Sequence, residues 1–261
     1  MPFRKINADR IATAITDQVE ELILQGVLRP GDRLPSERDL SEQFDVSRPT
    51  LREALDDLAE RGLIATRPGG GHFIADILGS AFSPPLIELF ASHDTALFDY
   101  LAFRRDLEGM AAGYAAERGT DADRAVIDAI FKRMEAAHTK RNPDDEAAID
   151  AEFHMAIVEA AHNVVMLHMM RSLYDLLARG VWYNRNAVYA VPGFRAELLE
   201  QHRAIRDGIC GRDPAAARSA IGAHMDFVAD ALREADRART RDQVAELRRV
   251  HEARRNSGRK K

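Results

Sequence analysis

One helical stretch of this 261-residue sequence carries an acid and an imidazole four positions apart, at Asp150 and His154. On an α-helix this spacing places the two side chains on one face, a turn apart. A carboxylate and a neutral imidazole so placed can ligate the same divalent cation. They can equally form an ion pair on a solvent-facing surface. Which alternative holds depends on whether the helices around the pair bury it or leave it on the surface.

The composition is that of a soluble protein with room for two domains. Hydrophobic residues make up 46% of the chain and charged residues 30%, which suffices for an ordinary buried core. The formal charge of -5 gives no overall sign of nucleic-acid binding, so a basic patch would have to be local. The single cysteine, Cys210, fits a reducing compartment. No apolar run approaches the length of a membrane span, so we expect a cytoplasmic protein with no membrane partner.

The first region, residues 1–76, shows the element order of a winged helix-turn-helix. A first helix ends near Gly26, and Ser36 and Ser47 are N-cap residues that open two further helices around a tight turn. Apolar positions at helical spacing predict the core of these helices, formed by Ile11, Ile15, Val19, Leu22, Ile23, Leu51, Ala54, Leu55 and Leu58. Two short strands around a glycine-rich tip complete the motif, over residues 62–67 and 73–75.

The rest of the chain predicts helices only. Residues 77–85, rich in Pro, Gly and Ser, are interpreted as a linker, and residues 86–236 as an all-α bundle of six or seven helices. Helix starts are indicated at Thr120, Asn142 and Asp213. The basic segment 237–261 lacks a core stripe and is interpreted as a frayed helix or a disordered tail. The fold class is therefore mainly α, with an N-terminal winged helix-turn-helix and a C-terminal helical bundle.

The third helix of such a motif enters the DNA major groove with its N-terminal residues at the base edges. Those residues are Ser47, Arg48, Pro49, Thr50 and Arg52. Arginine matches the O6/N7 edge of guanine, and the sugar-phosphate backbone would be contacted by Arg38, Arg67, Gly69 and Gly70. Alternatively, the arginines only pair on a solvated surface with Glu37, Glu42, Asp56 and Asp57. Because local cations are few, we expect a homodimer on a palindromic double-stranded DNA operator.

This region closely resembles the GntR family of bacterial transcription regulators. The resemblance rests on the runs Leu28–Leu40 and Phe44–Leu55 and on the wing Arg67–Ile74. It implies a DNA-binding regulator, expected to be a repressor, in which Arg38, Arg48, Arg52 and the glycine wing contact the operator.

The helical region resembles the FadR-type C-terminal domain, called FCD, which is a known partner of that DNA-binding domain. The resemblance rests on Arg104–Glu108, Asp150–His154, Glu200–Ile205 and His224. It implies a divalent metal held by one Asp and three His, matched here by Asp150, His154, His202 and His224. Zinc is the expected ion, with nickel and manganese as alternatives, because such ions accept imidazole and carboxylate ligands.

Arg104 is the candidate effector contact, since a buried arginine can bind a carboxylate through two hydrogen bonds. Its alternative is an ion pair with Glu108, and both roles can hold together. Segments 83–89 and 158–168 look like those of pyruvate-responsive family members, which implies pyruvate as the effector. The complete metal set is instead typical of members that respond to L-lactate or glycolate. The effector is therefore open among small 2-oxo and 2-hydroxy acids.

A helical metalloenzyme is the remote alternative, and a purely structural metal site is another. A di-iron site needs Glu-x-x-His pairs, but Ala151, Leu199 and Ile221 stand three residues before the candidate histidines. The sequence contains no His-Glu-x-x-His, P-loop or Gly-x-Ser-x-Gly motif. We therefore expect a regulator with no enzymatic activity.

Overall fold

The computed structural model of the chain describes residues 8–67, 70–77, 84–91, 93–140, 143–178 and 193–258. The chain divides into two compact units. The first unit comprises Met1–Ala81 with Leu167–Ser172, and the second comprises Phe82–Met166 with Leu173–Lys261. Among the helices of the described ranges, none is both long and apolar enough to cross a lipid bilayer.

The first unit has the three helices and the two-stranded wing that the sequence predicts. The helices are α1 (Ala8–Leu24), α2 (Glu37–Gln43) and α3 (Arg48–Glu60), and the strands are β1 (Ile64–Arg67) and β2 (Gly71–Ile74). The strands pair antiparallel, with Ile64 opposite Ile74. The second strand begins two residues earlier than predicted, because Gly71, with φ at 86°, already pairs with Arg67.

Both predicted serine caps open their helices. Ser36 Oγ accepts a hydrogen bond from the backbone N–H of Asp39 at 3.2 Å, and Ser47 Oγ accepts one from that of Thr50 at 3.4 Å. The turn between α2 and α3 places Asp45 at φ 52°, a conformation that a short polar side chain tolerates. These local features fix where the third helix begins.

In the core of the first unit, all the residues predicted for α3 are buried, but only some of those predicted for α1. Leu51, Ala54, Leu55 and Leu58 are all buried, as are Ile15, Val19 and Ile23. Ile11 is 39% exposed and Leu22 only partly buried, so the predicted α1 stripe is wrong at the first of these positions. Ala12 is buried in its place, because it lies three residues before Ile15 on the core-facing side of the helix.

Within the described residues, the second unit is built from helices alone, as predicted. They are α4 (Pro84–Ala91), α5 (Asp94–Arg118), α6 (Asp121–Lys140), α7 (Pro143–Ala160), the two ends of α8 (Val164–Ala178), α9 (Phe194–Cys210) and α10 (Pro214–Gly258). Residues 167–172 of α8 are grouped with the first unit. The last two residues of the predicted linker are helical, since proline is favoured in a first helical turn. Residues 78–83 lie outside the described ranges.

Polar caps fix where two of these helices begin, and apolar packing joins α5, α7, α9 and α10. Thr120 and Asp123 hydrogen-bond reciprocally at the start of α6, and Asp213 Oδ1 accepts from the backbone N–H of Ala215 and Ala216 at the start of α10. Helix α5 packs against α7, α9 and α10, and α9 packs against α10. The large side chains buried in this unit are mostly from those helices and from α6, and include Phe131, Phe153, Ile205, Ile209 and Ile221.

The basic C-terminal segment continues the last helix. Helix α10 runs to Gly258, and its described residues 237–249 are all exposed, whereas the buried stripe ends at Leu232. Ion pairs three residues apart, such as Arg239–Asp236 and Arg249–Glu246, follow the exposed turns. Such pairs support a helix that has no core face.

Candidate metal centre and nucleic-acid interface

Three buried histidines from three helices meet inside the second unit. His154 of α7, His202 of α9 and His224 of α10 are each at most 3% exposed. One ring nitrogen from each lies within 4.8 Å of the others, and the ring centroids of His202 and His224 are 4.5 Å apart. Because all three positions are separated in sequence, their meeting depends on helix packing.

Asp150 lies beside this group, one turn before His154 on α7. Its Oδ1 is 3.1 Å from His202 Nε2 and 3.9 Å from His154 Nε2. The side chain is 17% exposed, whereas the histidines are almost fully buried. The structure therefore brings together all four residues of the predicted ligand set, with the carboxylate on the outer side.

The histidine group has the chemistry of an incomplete coordination shell. His154 Nε2, His202 Nε2 and His224 Nδ1 are buried without a hydrogen-bond partner among the described residues. Burial, followed by the neighbouring His202 and His154, lowers the pKa of His224 well below its usual value. Its ring is therefore neutral, which is the form that ligates a metal. Leaving buried polar nitrogens unsatisfied is costly, and a divalent cation would satisfy them.

Glu108 links the histidine group to Arg104. Its Oε2 is 2.5 Å from His154 Nδ1, while its Oε1 accepts a hydrogen bond from Arg104 Nε at 2.6 Å. Burial alone would raise the pKa of Glu108, but the charges of Arg104 and His154 outweigh it and lower the pKa to about 2. The ion pair with Glu108 considered as an alternative role of Arg104 is thus present. Its contact with His154 crosses from α5 to α7 and has no signal in the sequence.

Tyr174 is a second member of this network that sequence reasoning missed. Its hydroxyl accepts a hydrogen bond from Arg104 Nη2 at 2.7 Å and donates one to Glu108 Oε1 at 3.2 Å. Burial raises the pKa of Tyr174 well above its usual value, so the phenol stays protonated. The Arg104 guanidinium also lies 4.9 Å from the centre of the Tyr174 ring. Arg104 is therefore held on several sides inside the unit.

A small pocket of about 30 Å³, partly open to solvent, reaches the candidate ligands from the outside. Asp150 and His202 line it together with Met134, His138, Glu146, Arg195, Leu198 and Leu199. Arg195 and Glu146 form an ion pair in its wall. Neither residue was singled out from the sequence. Glu146 lies one helical turn before Asp150, which is a signal that could have drawn attention to it.

The candidate DNA contacts of the first unit lie mostly on its surface. Ser47, Arg48 and Pro49 are exposed at the start of α3, and Thr50 is half-buried. Gly70 is half-buried beside the wing, and Gly69 lies outside the described residues. Arg67 is exposed, with its guanidinium 4.4 Å from the centre of the Phe73 ring.

Two of the candidate arginines have acidic partners on this surface. Arg52 Nε is 2.7 Å from Glu37 Oε2, and Arg38 Nε is 3.9 Å from Glu42 Oε1. Asp57 instead pairs with Arg61 at the far end of α3. The surface-pairing alternative is thus present in part. Exposed pairs of this kind contribute about 1 kcal/mol or less, so a DNA phosphate or base can replace the acidic partner.

Comparisons with known proteins identify both units. Residues 11–74 match the family described as bacterial regulatory proteins, gntR family, and residues 99–227 match the FCD domain. The chain is 37% identical over 236 residues to the "Putative L-lactate dehydrogenase operon regulatory protein" of Escherichia coli (strain K12), covering 89% of this chain and 90% of that one. This chain belongs to the GntR family of bacterial regulators.

Further relatives agree with this assignment. The Glc operon transcriptional activator of Escherichia coli (strain K12) is 36% identical over 219 residues, covering 82% of this chain and 86% of that protein. The structure of a Streptococcus agalactiae GntR protein superposes with a TM-score of 0.52 at 25% identity, over 85% of this chain and 98% of that one. As a GntR-family member with an FCD domain, the chain is a transcription regulator and not an enzyme. The metalloenzyme alternative is therefore set aside.

Proposed function

We propose that this GntR-family regulator binds a palindromic operator as a homodimer, and that a small organic acid bound beside a divalent metal ion controls its affinity for DNA. The observation that carries the proposal is the buried group of His154, His202 and His224 with Asp150 beside it. Buried ring nitrogens without a hydrogen bond, such as His154 Nε2 and His224 Nδ1, are rare unless something binds them.

The proposed ligands of the ion are Asp150, His154, His202 and His224. Zinc is the ion that we expect, because imidazole nitrogen and carboxylate oxygen are among its usual ligands, with nickel and manganese as alternatives. When bound, the ion would supply a positive charge that attracts an oxygen of the acid.

Glu108 orients the first of these ligands. Its Oε2 lies 2.5 Å from His154 Nδ1, so a proton held on that nitrogen would leave Nε2 to bind the ion. The same carboxylate accepts from Arg104, so the proposed carboxylate anchor and a proposed metal ligand share one partner. An acid that takes a hydrogen bond from Arg104 would therefore alter the contacts among α5, α7 and α8. That change regulates DNA binding only if the acid prefers one of two arrangements of the dimer.

Among the acids expected from the sequence, L-lactate has the most support, because one relative is named for the L-lactate dehydrogenase operon. Pyruvate and glycolate are the alternatives. All three offer a carboxylate beside a second oxygen, so each can contact both an arginine and a metal ion. We propose that the acid releases the regulator from its operator, as expected of a repressor.

Calorimetric titration tests this proposal directly. Zinc-loaded full-length protein is titrated with L-lactate, pyruvate and glycolate, and Arg104→Ala is compared with Arg105→Ala. Arg105 is the matched control because it neighbours Arg104 but is half exposed and pairs with Asp226. We expect one saturable response that is lost in Arg104→Ala and kept in Arg105→Ala. Absence of binding heat with all three acids, despite bound zinc, would favour a purely structural metal site.

A further inference from the structure

An ion pair stands in the wall of the pocket that leads to the proposed metal ligands. Arg195 Nε donates to Glu146 Oε2 at 3.0 Å, and Arg195 Nη2 donates to Glu146 Oε1 and to the carbonyl of His138 at 3.2 Å. The two side chains are only 21% and 12% exposed. This is a two-pronged guanidinium–carboxylate contact, the geometry by which arginine recognises a carboxylate.

On each of the helices α7 and α9, one residue of this ion pair lies on the same face as one proposed metal ligand. Glu146 lies four residues before Asp150 on α7, and Arg195 lies seven residues before His202 on α9. Both spacings return a side chain to the same face of a helix. All four side chains line one pocket. An anion that reaches Asp150 and His202 through this pocket must therefore pass Arg195.

Among the described charged side chains of the pocket, Arg195 is the one that attracts an anion. Of the described residues that line it, Glu146 and Asp150 bring carboxylates, and Arg195 brings the permanent positive charge. The two carboxylates repel an incoming acid, whereas the guanidinium attracts it. An acid's carboxylate also has the same shape and charge as that of Glu146, so it can occupy the same donors.

We propose that Arg195 is an effector contact at the mouth of the site and that Glu146 is its built-in competitor. An incoming carboxylate takes the guanidinium from Glu146 on its way to the proposed metal ligands. Arg104 has a different position, since it is held by Glu108 and Tyr174 on the His154 side of the ligand group. The inference rests on the proposed function, and it assigns to that function a second residue that recognises the acid.

The two members of the pair should respond in opposite directions when they are changed. Arg195→Ala removes the attracting charge and should weaken binding of L-lactate to the zinc-loaded protein by about tenfold. Glu146→Gln removes the competitor without changing the size of the side chain. It should strengthen binding by up to about fivefold, the range expected for an exposed or partly exposed ion pair.

A second ion pair, which like the first includes an arginine of α9, provides the control. Arg206 of α9 pairs with Asp128 of α6 at 3.0 Å, and its exposed fraction resembles that of Arg195. Neither Arg206 nor Asp128 lines the pocket. Arg206→Ala and Asp128→Asn should therefore leave acid binding unchanged. Zinc content and thermal unfolding are measured for every variant, so that a loss of metal or of fold is recognised separately.

The outcomes distinguish this inference from the proposed function. Opposite shifts in Arg195→Ala and Glu146→Gln, with unchanged controls, support both. If the wild-type protein binds an acid but Glu146→Gln weakens binding or leaves it unaltered, the competitor role is wrong, while acid sensing stands. If the zinc-loaded wild-type protein binds none of the three acids, acid sensing fails and the role of Arg195 fails with it.

Discussion

The two units hold their candidate functional arginines in opposite surroundings. Arg38 and Arg52 of the first unit are 69% and 64% exposed and pair with acids on the surface. Arg104 of the second unit is 4% exposed and is held by Glu108 and Tyr174. Exposed pairs contribute little to stability, whereas one-sided removal of a buried pair is strongly destabilising. Function and stability should therefore be separable in the first unit and coupled in the second.

Loss of a histidine in the buried group should produce the largest effect. His202→Ala removes one of the four proposed ligands, so we expect zinc affinity to fall by about a thousandfold. The stabilisation by zinc, about 4 kcal/mol at a free concentration a thousand times Kd, should disappear with it. Elemental analysis and denaturant unfolding with and without zinc measure the two quantities.

His162→Ala is the control for this experiment, because His162 is 43% exposed and pairs with Asp123 away from the buried group. It should keep both the zinc content and the zinc-dependent stability. Equal stabilisation by zinc in His202→Ala and in the wild-type protein would contradict a metal site at the three histidines.

Breaking the buried ion pair from one side should give the next largest effect. Glu108→Ala leaves the Arg104 charge buried without its carboxylate, and we expect the free energy of unfolding to fall by about 3 kcal/mol. The double variant Arg104→Met/Glu108→Leu removes both charges and should recover much of that loss. Chemical denaturation of the three proteins without zinc gives the comparison. A double variant less stable than Glu108→Ala would show that the destabilisation does not come from the unpaired charge.

The fold of the first unit was predictable because its signals are local. Ser36 and Ser47 cap the helices that they were expected to open, and the apolar spacing from Leu51 to Leu58 gives the buried face of α3. The errors are also local: Ile11 is exposed, and β2 begins at Gly71. The spacing of apolar residues does not by itself show where a buried stripe or a strand begins. These starting points also depend on the surface against which the element packs.

The site of the second unit was only partly predictable for a physical reason. Helical spacing pairs Asp150 with His154, but nothing in spacing brings His202 and His224 to them, and only the family resemblance did so. Glu108 was expected as a partner of Arg104, yet its contact with His154 depends on how α5 packs against α7. Tyr174 and Arg195 join the site through packing in the same way. Contacts between helices are set by tertiary structure, which periodicity within one helix does not encode.

The smallest effect on stability should accompany a clear effect on DNA binding in the first unit. Arg48 is exposed at the start of α3, so Arg48→Ala should change the free energy of unfolding by no more than about 0.5 kcal/mol. Binding to an operator selected from random duplexes should weaken by about 1–3 kcal/mol, the usual value of an arginine–guanine contact. Arg61→Ala, at the other end of the helix, should bind that operator like the wild-type protein. An Arg48→Ala protein with full operator affinity would show that the start of α3 does not read the bases, and an unstable one would show that the first unit also couples function to folding.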